Sequence, residues 1–208
     1  MSERALQAET LHLWRGERHV LRGIGFSLSA GECLQVTGIN GAGKTSLLRT
    51  LAGLMYPEDG QVRWAGRDIR RDLREFHTQI AYIGHESPLK PDLTARENLR
   101  YWVGMRRSLE ESEAQGALER VGAGLWLDRP VRTLSAGQKR RVALAGLALM
   151  AVPLWLLDEP TTNLDTAGQQ LVGTLIEEQL ASGGLVVAAM HQELPIPPAA
   201  VRRLALSG

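Results

Sequence analysis

The stretch Gly38-Ile39-Asn40-Gly41-Ala42-Gly43-Lys44-Thr45 follows an apolar-alternating run at residues 34–37 and precedes a helix-like segment at residues 46–51. It fits the pattern G-x-x-x-x-G-K-[ST] of a phosphate-binding loop, which needs a strand before it and a helix after it. The glycines let successive backbone N–H groups surround a phosphate, and the helix N-terminus adds its positive dipole end. This stretch therefore predicts a nucleoside triphosphate site.

The loop residues are all predicted to contact the nucleotide. We expect the Lys44 ammonium to reach the β- and γ-phosphates and the Thr45 hydroxyl to bind Mg²⁺. The alternative is a glycine-rich turn before an ordinary helix, but the bare pattern arises by chance in roughly one chain in a hundred of this size. The predicted nucleotide-binding residues of the loop are Gly38, Ile39, Asn40, Gly41, Ala42, Gly43, Lys44, Thr45 and Ser46.

Composition narrows the class of protein. A chain of 208 residues can bury a sizeable core, and one domain is favoured over two. The 24 Lys and Arg residues against 23 Asp and Glu residues leave a net charge of +1, so bulk charge gives no case for nucleic-acid binding. The single cysteine, Cys33, excludes an internal disulfide and is predicted to be a small core residue.

Apolar patterns predict strands that alternate with helices, which favours a parallel α/β core. Residues 94–150 are predicted to be mostly helical, with breaks near 122–124 and 129–130, and Thr94 and Glu97 have the spacing of a capping box. The uncharged stretch 142–157 is shorter than the roughly 17–25 residues that span a bilayer, so we expect a buried helix running into a buried strand. The other predicted strands cover residues 6–13, 20–28, 61–64, 80–83, 185–189 and 201–206.

Two carboxylates follow the apolar run Leu154-Trp155-Leu156-Leu157. Open α/β sheets bind ligands at the carboxyl ends of their strands, so Asp158 and Glu159 are expected beside the phosphate loop. Asp158 is suited to hold Mg²⁺, and Glu159 is suited to orient and deprotonate an attacking water. A strand that ends in surface acids is the alternative, and the preceding phosphate loop argues against it.

The segment Leu134-Ser135-Ala136-Gly137-Gln138 opens another predicted helix. Serine is a favoured N-cap residue, and the backbone N–H groups after it form a site for an anion. These residues by themselves support a plain helix cap and an anion site equally well.

Taken together, the motifs resemble those of the ATP-binding cassette (ABC) ATPases over nearly the whole chain. Residues 38–45 match the Walker A loop, residues 154–159 match the Walker B strand, and residues 134–138 look like the signature L-S-G-G-Q with Ala136 replacing one glycine. Residues 162–165 resemble the D-loop, and His191 lies where the family has its switch histidine. Residues 82–85 and 92–99 fall on the Q-loop, where His85 replaces the usual glutamine.

This resemblance implies an α/β fold of the P-loop NTPase type. It implies an ABC-type nucleotide-binding domain, with a RecA-like parallel-sheet core, an antiparallel β subdomain and an inserted helical subdomain. We expect a single ABC ATPase domain over residues 1–208. Its core would cover about 1–84 and 151–208, and its helical subdomain about 85–150.

In this family two ATPase domains face each other head to tail, and each ATP is held between the loop of one and the signature helix of the other. The resemblance therefore implies that the chain binds ATP and Mg²⁺ and pairs with a second copy of itself. It assigns catalytic roles to Lys44, to Glu159 as the residue that polarises water, and to His191 as a partner of the γ-phosphate and Glu159. The residues assigned to the partner's nucleotide are Ser135, Gly137 and Gln138.

Two further positions in the nucleotide site follow from the resemblance. An aromatic residue that stacks on adenine is expected near the turn after the first strand. Trp14 is the candidate, but it is slightly out of register, so Arg15 could occupy this position instead. Because Mg²⁺ prefers oxygen, His85 is expected to act through water or as a hydrogen-bond donor near the γ-phosphate, and a contact with the membrane partner is the alternative.

The group of ABC ATPases is narrowed by Gly84-His85-Glu86, by the signature Leu-Ser-Ala-Gly-Gln and by Met190-His191-Gln192. These features resemble the ATP-binding subunits of the bacterial haem exporter for cytochrome c biogenesis. The resemblance implies a peripheral ATPase at the cytoplasmic face of the inner membrane, bound to the membrane-spanning ABC subunits of the cytochrome c maturation complex. It implies neither nucleic-acid binding nor direct membrane insertion. The alternatives are an ATPase subunit of another ABC importer or exporter, and a non-transport ABC ATPase.

Overall fold

The computed structural model describes residues 5–207. These residues contain nine β-strands and six α-helices, joined by loops and short 3-10 turns. The ends of the predicted range 1–208 lie outside these residues. The strands are β1 (Ala5–Arg15), β2 (Arg18–Ser29), β3 (Cys33–Thr37), β4 (Asp59–Trp64), β5 (Arg67–Asp68), β6 (Ile80–Ile83), β7 (Leu154–Asp158), β8 (Leu185–Ala189) and β9 (Val201–Ala205). The helices are α1 (Lys44–Leu51), α2 (Leu73–Thr78), α3 (Ala95–Gly104), α4 (Glu111–Arg120), α5 (Ala136–Leu149) and α6 (Thr166–Ala181).

The first four-stranded sheet has the order β2-β1-β4-β5, and both of its long pairs are antiparallel. Leu6 and Ala8 of β1 are buried, as are Leu11 and Leu13, because alternate side chains of a strand point to the same face. An irregularity in the strand pairing between Ala8 and Leu11 brings the second pair back to the buried face. The turn between β1 and β2 contains Gly16 with φ 61°, a left-handed conformation that glycine adopts without steric cost.

The second sheet has five strands in the order β6-β7-β8-β3-β9. β8 pairs in parallel with β3 on one side and with β7 on the other, and β3 also pairs in parallel with β9. Every residue of β7 and β8 is buried, as is typical of parallel strands that are covered on both faces. The alternating α/β organisation with one parallel and one antiparallel sheet confirms the predicted fold class.

The parallel pairing decides where the predicted motifs emerge. Val36 near the end of β3 and Asp158 at the end of β7 both align with Ala189, the last residue of β8. The segments that follow these three strands therefore leave the sheet at one edge, which is where open α/β sheets place ligands.

The chain divides into two compact units. The first comprises the residues up to Tyr82, then Val152–Glu159 and the residues from Ile176 onward, and it holds most of both sheets. Its core includes apolar residues from β1, β3, β7, β8 and α1.

The second unit comprises Ile83–Ala151 and Pro160–Leu175, and its core joins α3, α4 and α5. The Thr94 hydroxyl accepts a hydrogen bond from the Glu97 N–H, and the Glu97 carboxylate accepts one from the Thr94 N–H, which confirms the predicted capping box. The region is largely helical, but the predicted breaks did not include the one between α3, which ends at Gly104, and α4, which begins at Glu111. In this break the Arg107 guanidinium donates to the Leu149 carbonyl and pairs with Glu113, contacts that no local pattern predicts.

The uncharged stretch 142–157 is most of α5 followed by β7, and its residues are largely buried, as predicted. Among the residues that the structure describes, no helix has the length and apolar character needed to cross a membrane. Cys33 begins β3 and is fully buried, which confirms its place in the core.

Burial raises the pKa of the Cys33 thiol to about 12. A thiolate is the reactive form of cysteine, so Cys33 in the folded protein is expected not to react with an aromatic disulfide reagent at about pH 8. The same reagent should react fully with one thiol after unfolding in guanidinium chloride, which is the control. Rapid reaction of the native protein, followed by absorbance, would contradict the buried position.

Candidate functional site

The loop between β3 and α1 lies against its neighbours so closely that side chains are excluded at two positions. A Cβ atom on Gly38 would lie 2.8 Å from the Leu206 carbonyl oxygen, and one on Gly43 would lie 2.6 Å from Cγ1 of Val20. Both glycines have positive φ, 150° and 102°, as does Gly41 at 79°. The loop therefore needs glycine for its backbone shape and for its packing.

Lys44, the first residue of α1, is 8% exposed and turns back over the loop. Its Nζ donates hydrogen bonds to the carbonyl oxygens of Gly38, at 2.8 Å, and Ile39, at 3.4 Å. A second cation that the sequence analysis missed, Arg18 of β2, donates from Nη2 to the Gly41 carbonyl oxygen at 2.8 Å. Arg18 reaches the loop because β2 packs against α1, and no sequence signal marks this contact.

Thr45 and Asp158 meet although they are far apart in the chain. The Thr45 hydroxyl donates to Oδ2 of Asp158 at 2.7 Å, and Asp158 is 2% exposed. A hydroxyl and a carboxylate oxygen are ligands that Mg²⁺ prefers, so the donor chemistry fits this ion. Within residues 5–207 no group of three or more His, Cys, Asp or Glu side chains is placed to hold a metal ion.

Glu159 and His191 complete this cluster at the edge of the parallel sheet. Glu159 has φ 49°, a strained value for a residue other than glycine, and its N–H donates to the Ala189 carbonyl oxygen at 2.8 Å. Nε2 of His191 lies 3.4 Å from Oε1 of Glu159 and 3.2 Å from Nζ of Lys44. In the tautomer that carries its proton on Nδ1, His191 accepts a hydrogen bond from Lys44 at Nε2, and the Glu159 carboxylate lies beside the same nitrogen. The imidazole therefore connects the two groups.

The signature segment caps α5 in the second unit. The Ser135 hydroxyl accepts from the Gln138 N–H at 3.2 Å, and Oε1 of Gln138 accepts from the Ser135 N–H at 2.8 Å. This capping box confirms the predicted cap, and the anion site stays a prediction. A Cβ atom on Gly137 would lie 2.6 Å from the Asn163 carbonyl oxygen, whereas Ala136 is exposed.

Two arginines of α5 hold the neighbouring loops of the same unit. Arg140 donates from Nε to the Pro160 carbonyl oxygen at 3.1 Å and from Nη1 to the Gly84 carbonyl oxygen at 3.3 Å. Arg141 donates from Nη2 to Oδ1 of Asp165 at 2.7 Å. The Gly168 N–H and then the Arg141 guanidinium lower the pKa of the Asp165 carboxyl, because both stabilise its charged form.

Trp14 lies beside the hairpin turn and is 39% exposed. Its ring stacks on that of His19 with a centroid distance of 3.8 Å and an interplanar angle of 8°. The two residues are paired across the β1–β2 hairpin, so the glycine of the turn, Gly16, was the sequence signal that could have placed His19 there. One face of the indole is therefore covered, and stacking of Trp14 or Arg15 on adenine stays a prediction.

The predicted site residues fall into two groups. The first unit brings together five residues from three separate segments at one edge of its parallel sheet: Lys44, Thr45, Asp158, Glu159 and His191. The second unit carries the exposed His85 and the capped signature residues: Ser135, Gly137 and Gln138.

Comparison with known proteins identifies the class. The family model for the ABC transporter matches residues 21–162, most of the chain. A putative ABC transporter ATP-binding protein from Pyrococcus furiosus has a similar structure, with a TM-score of 0.84, 25% identity and coverage of 97% of each chain.

Two curated relatives carry the name cytochrome c biogenesis ATP-binding export protein CcmA. The one from Methylococcus capsulatus is 48% identical over 94% of this chain and 95% of its own length. The one from Salmonella typhi is 47% identical over 98% of this chain and 97% of its own length. The chain therefore belongs to the ABC transporter family, within the group of cytochrome c biogenesis ATP-binding export proteins. Like other ABC ATP-binding proteins it is an ATPase.

The Asn163 carbonyl oxygen leaves no room for a side chain at position 137. Gly137→Ala is expected to lower the free energy of unfolding by about 1–3 kcal/mol, because the added methyl group forces the Asn163 backbone away. The matched control is Ala136→Gly at the exposed neighbouring position, where the cost is expected to stay below about 1 kcal/mol. Urea unfolding measures both, and equal stability of Gly137→Ala and the wild type would contradict the close contact.

Proposed function

We propose that this ATPase is the ATP-hydrolysing subunit of a membrane ABC complex that powers haem export or delivery for cytochrome c biogenesis. The observation that carries the proposal is 47–48% identity over nearly the full length of proteins named for cytochrome c biogenesis and export. An ATPase subunit of another ABC transporter is the alternative, and it would share the chemistry but bind a different membrane partner.

The proposed chemistry follows from the cluster in the first unit. Lys44 binds the β- and γ-phosphates of ATP and Glu159 accepts a proton from the attacking water, while His191, between these two residues, hydrogen-bonds the γ-phosphate. Thr45 and Asp158 would hold Mg²⁺, which neutralises phosphate charge when bound. The buried, hydrogen-bonded Lys44 and Asp158 support these roles because their positions are largely set before ATP arrives.

The proposed assembly contains two copies of this chain and membrane-spanning subunits of the cytochrome c maturation complex, at the cytoplasmic face of the inner membrane. We propose that residues 1–208 act as one ATPase domain, whose helical part, about 85–150, contacts the membrane subunits. The exposed position of Ser135 at the N-terminus of α5 supports a contact with the nucleotide of the partner copy.

Two substitutions separate ATP binding from hydrolysis. Lys44→Ala is expected to abolish tight ATP binding, because the loop loses the ammonium that faces the phosphates. Glu159→Gln is expected to bind ATP normally and to hydrolyse it at least about 100-fold more slowly, because an amide cannot accept the proton. Equilibrium binding of a fluorescent ATP analogue and phosphate release measure the two effects. Hydrolysis by Glu159→Gln at the wild-type rate would remove Glu159 from the proposed role.

The same variants test the paired arrangement. With ATP, the Glu159→Gln protein is expected to form a dimer in light scattering, whereas Glu159→Gln combined with Ser135→Arg should stay monomeric, because the long side chain blocks the partner's γ-phosphate. Binding of one ATP per monomer by the double variant is the control for folding. A dimer that forms equally well with Ser135→Arg would exclude the proposed contact across the pair.

Haem delivery is tested in the source bacterium by deleting the gene. C-type cytochromes, detected by haem staining of denatured gels, are expected to disappear and to return with the wild-type gene but not with Glu159→Gln. Cytochromes of the b type, which hold haem without covalent attachment, are the control and should be unchanged. Normal levels of c-type cytochromes in the deletion strain would favour the alternative, another ABC transporter.

A further inference from the structure

A glutamine lies in the middle of β3, the strand between β8 and β9. Gln35 is 2% exposed, and its neighbours Leu34 and Val36 are buried apolar residues. Burying a side-chain amide is unfavourable unless it is hydrogen-bonded, so the partner of Gln35 indicates what the amide does in this core.

The partner of Gln35 is the backbone next to His191. Nε2 of Gln35 donates to the Gln192 carbonyl oxygen at 2.7 Å, across a separation of 157 residues. On the other side of His191, the Met190 N–H donates to the Val36 carbonyl oxygen at 3.1 Å. Two adjacent residues of β3 therefore hold the backbone immediately before and immediately after the histidine.

These two bonds differ in kind. The bond from Met190 is a backbone contact that continues the parallel pairing of β3 and β8, so any residue at position 36 could make it. The bond to Gln192 lies beyond the end of β8, and it needs a side-chain donor of the length of glutamine. The side chain at position 35 therefore decides whether the segment after His191 is held.

The position of His191 depends on this segment. Its imidazole is half-exposed, and Nε2 lies within 3.4 Å of both Lys44 and Glu159. A half-exposed side chain is not fixed by close packing, so its placement depends on the backbone from which it projects. We propose that Gln35 is a positioning residue that holds the His191 segment so that the imidazole stays between Lys44 and Glu159. This inference rests on the role of His191 in the proposed function.

The experiment replaces Gln35 by methionine, which has a similar length but cannot donate a hydrogen bond. Gln35→Met is expected to lower kcat for ATP hydrolysis roughly 10-fold or more and to change KM little, because misplacement of a catalytic group costs up to about 100-fold. ATP binding should persist, because the Lys44 loop is unchanged.

Gln179 offers a matched control in the same unit. It is 8% exposed, and its Nε2 donates to the Val152 carbonyl oxygen at 2.9 Å, just before β7 begins and away from the residues that follow β7 and β8. The same nitrogen makes a second, longer contact with the Pro153 carbonyl oxygen at 3.3 Å. Gln179→Met removes both bonds, so it is expected to lower the Tm at least as much as Gln35→Met while leaving kcat within about twofold of the wild type.

The decisive comparison repeats Gln35→Met in a His191→Ala background. If Gln35 acts through His191, the loss of kcat seen with His191 present should vanish when His191 is absent. An equal loss in both backgrounds, or a wild-type kcat for Gln35→Met alone, would overturn the proposal. Gln35→Asn, whose shorter amide cannot reach the Gln192 carbonyl, should give the same result and replaces Gln35→Met if that variant does not fold.

The same measurements keep this inference apart from the proposed function. If His191→Ala by itself hydrolyses ATP like the wild type, the role proposed for His191 is wrong, and the inference on Gln35 is overturned with it. If His191→Ala is slow but the Gln35 effect does not depend on it, only the inference on Gln35 is overturned.

Discussion

The parallel pairing of β8 with both β3 and β7 is the constraint on which the site depends. Because Val36 and Asp158 align with the same residue of β8, Ala189, the chain leaves three strands at one level of the sheet. The phosphate loop, the Asp158-Glu159 pair and His191 follow these three strand ends. A slip of one residue in a parallel ladder would turn the side chains of that strand to the opposite face, so the register and the buried apolar strands support each other.

Polar neighbours hold the two buried charged groups of this cluster by hydrogen bonds. Lys44 is nearly buried, and two carbonyl oxygens and an imidazole nitrogen surround its ammonium. Asp158 is also buried, and it accepts a hydrogen bond from the Thr45 hydroxyl. Groups held in this way need little rearrangement when phosphate charge arrives, which is the main requirement for phosphoryl transfer. The strained backbone of Glu159 fits the same interpretation, because unusual backbone angles persist where surrounding contacts enforce them.

The helical unit is organised around the first two turns of α5. At the start of this helix, Ser135 and Gln138 form the capping box. Gly137, between them, packs closely against the Asn163 carbonyl oxygen. Arg140 and Arg141 then bind the carbonyl oxygens of Gly84 and Pro160 and the carboxylate of Asp165. The loop that carries His85 and the segment after Glu159 are thus attached to the helix whose first residues are proposed to meet the partner's ATP.

The sequence by itself determined the parts of this protein that depend on short stretches of chain. The phosphate loop, the capping boxes at Thr94 and Ser135 and the buried strands β7 and β8 were predictable, because glycine spacing, cap chemistry and apolar runs act within a few residues. Only the tertiary structure decided that Arg18 contacts the loop and that Gln35 holds the residue after His191. Those contacts join residues that are far apart in the chain. They follow from the packing of β2 against α1 and from the pairing of β3 with β8, which no local pattern specifies.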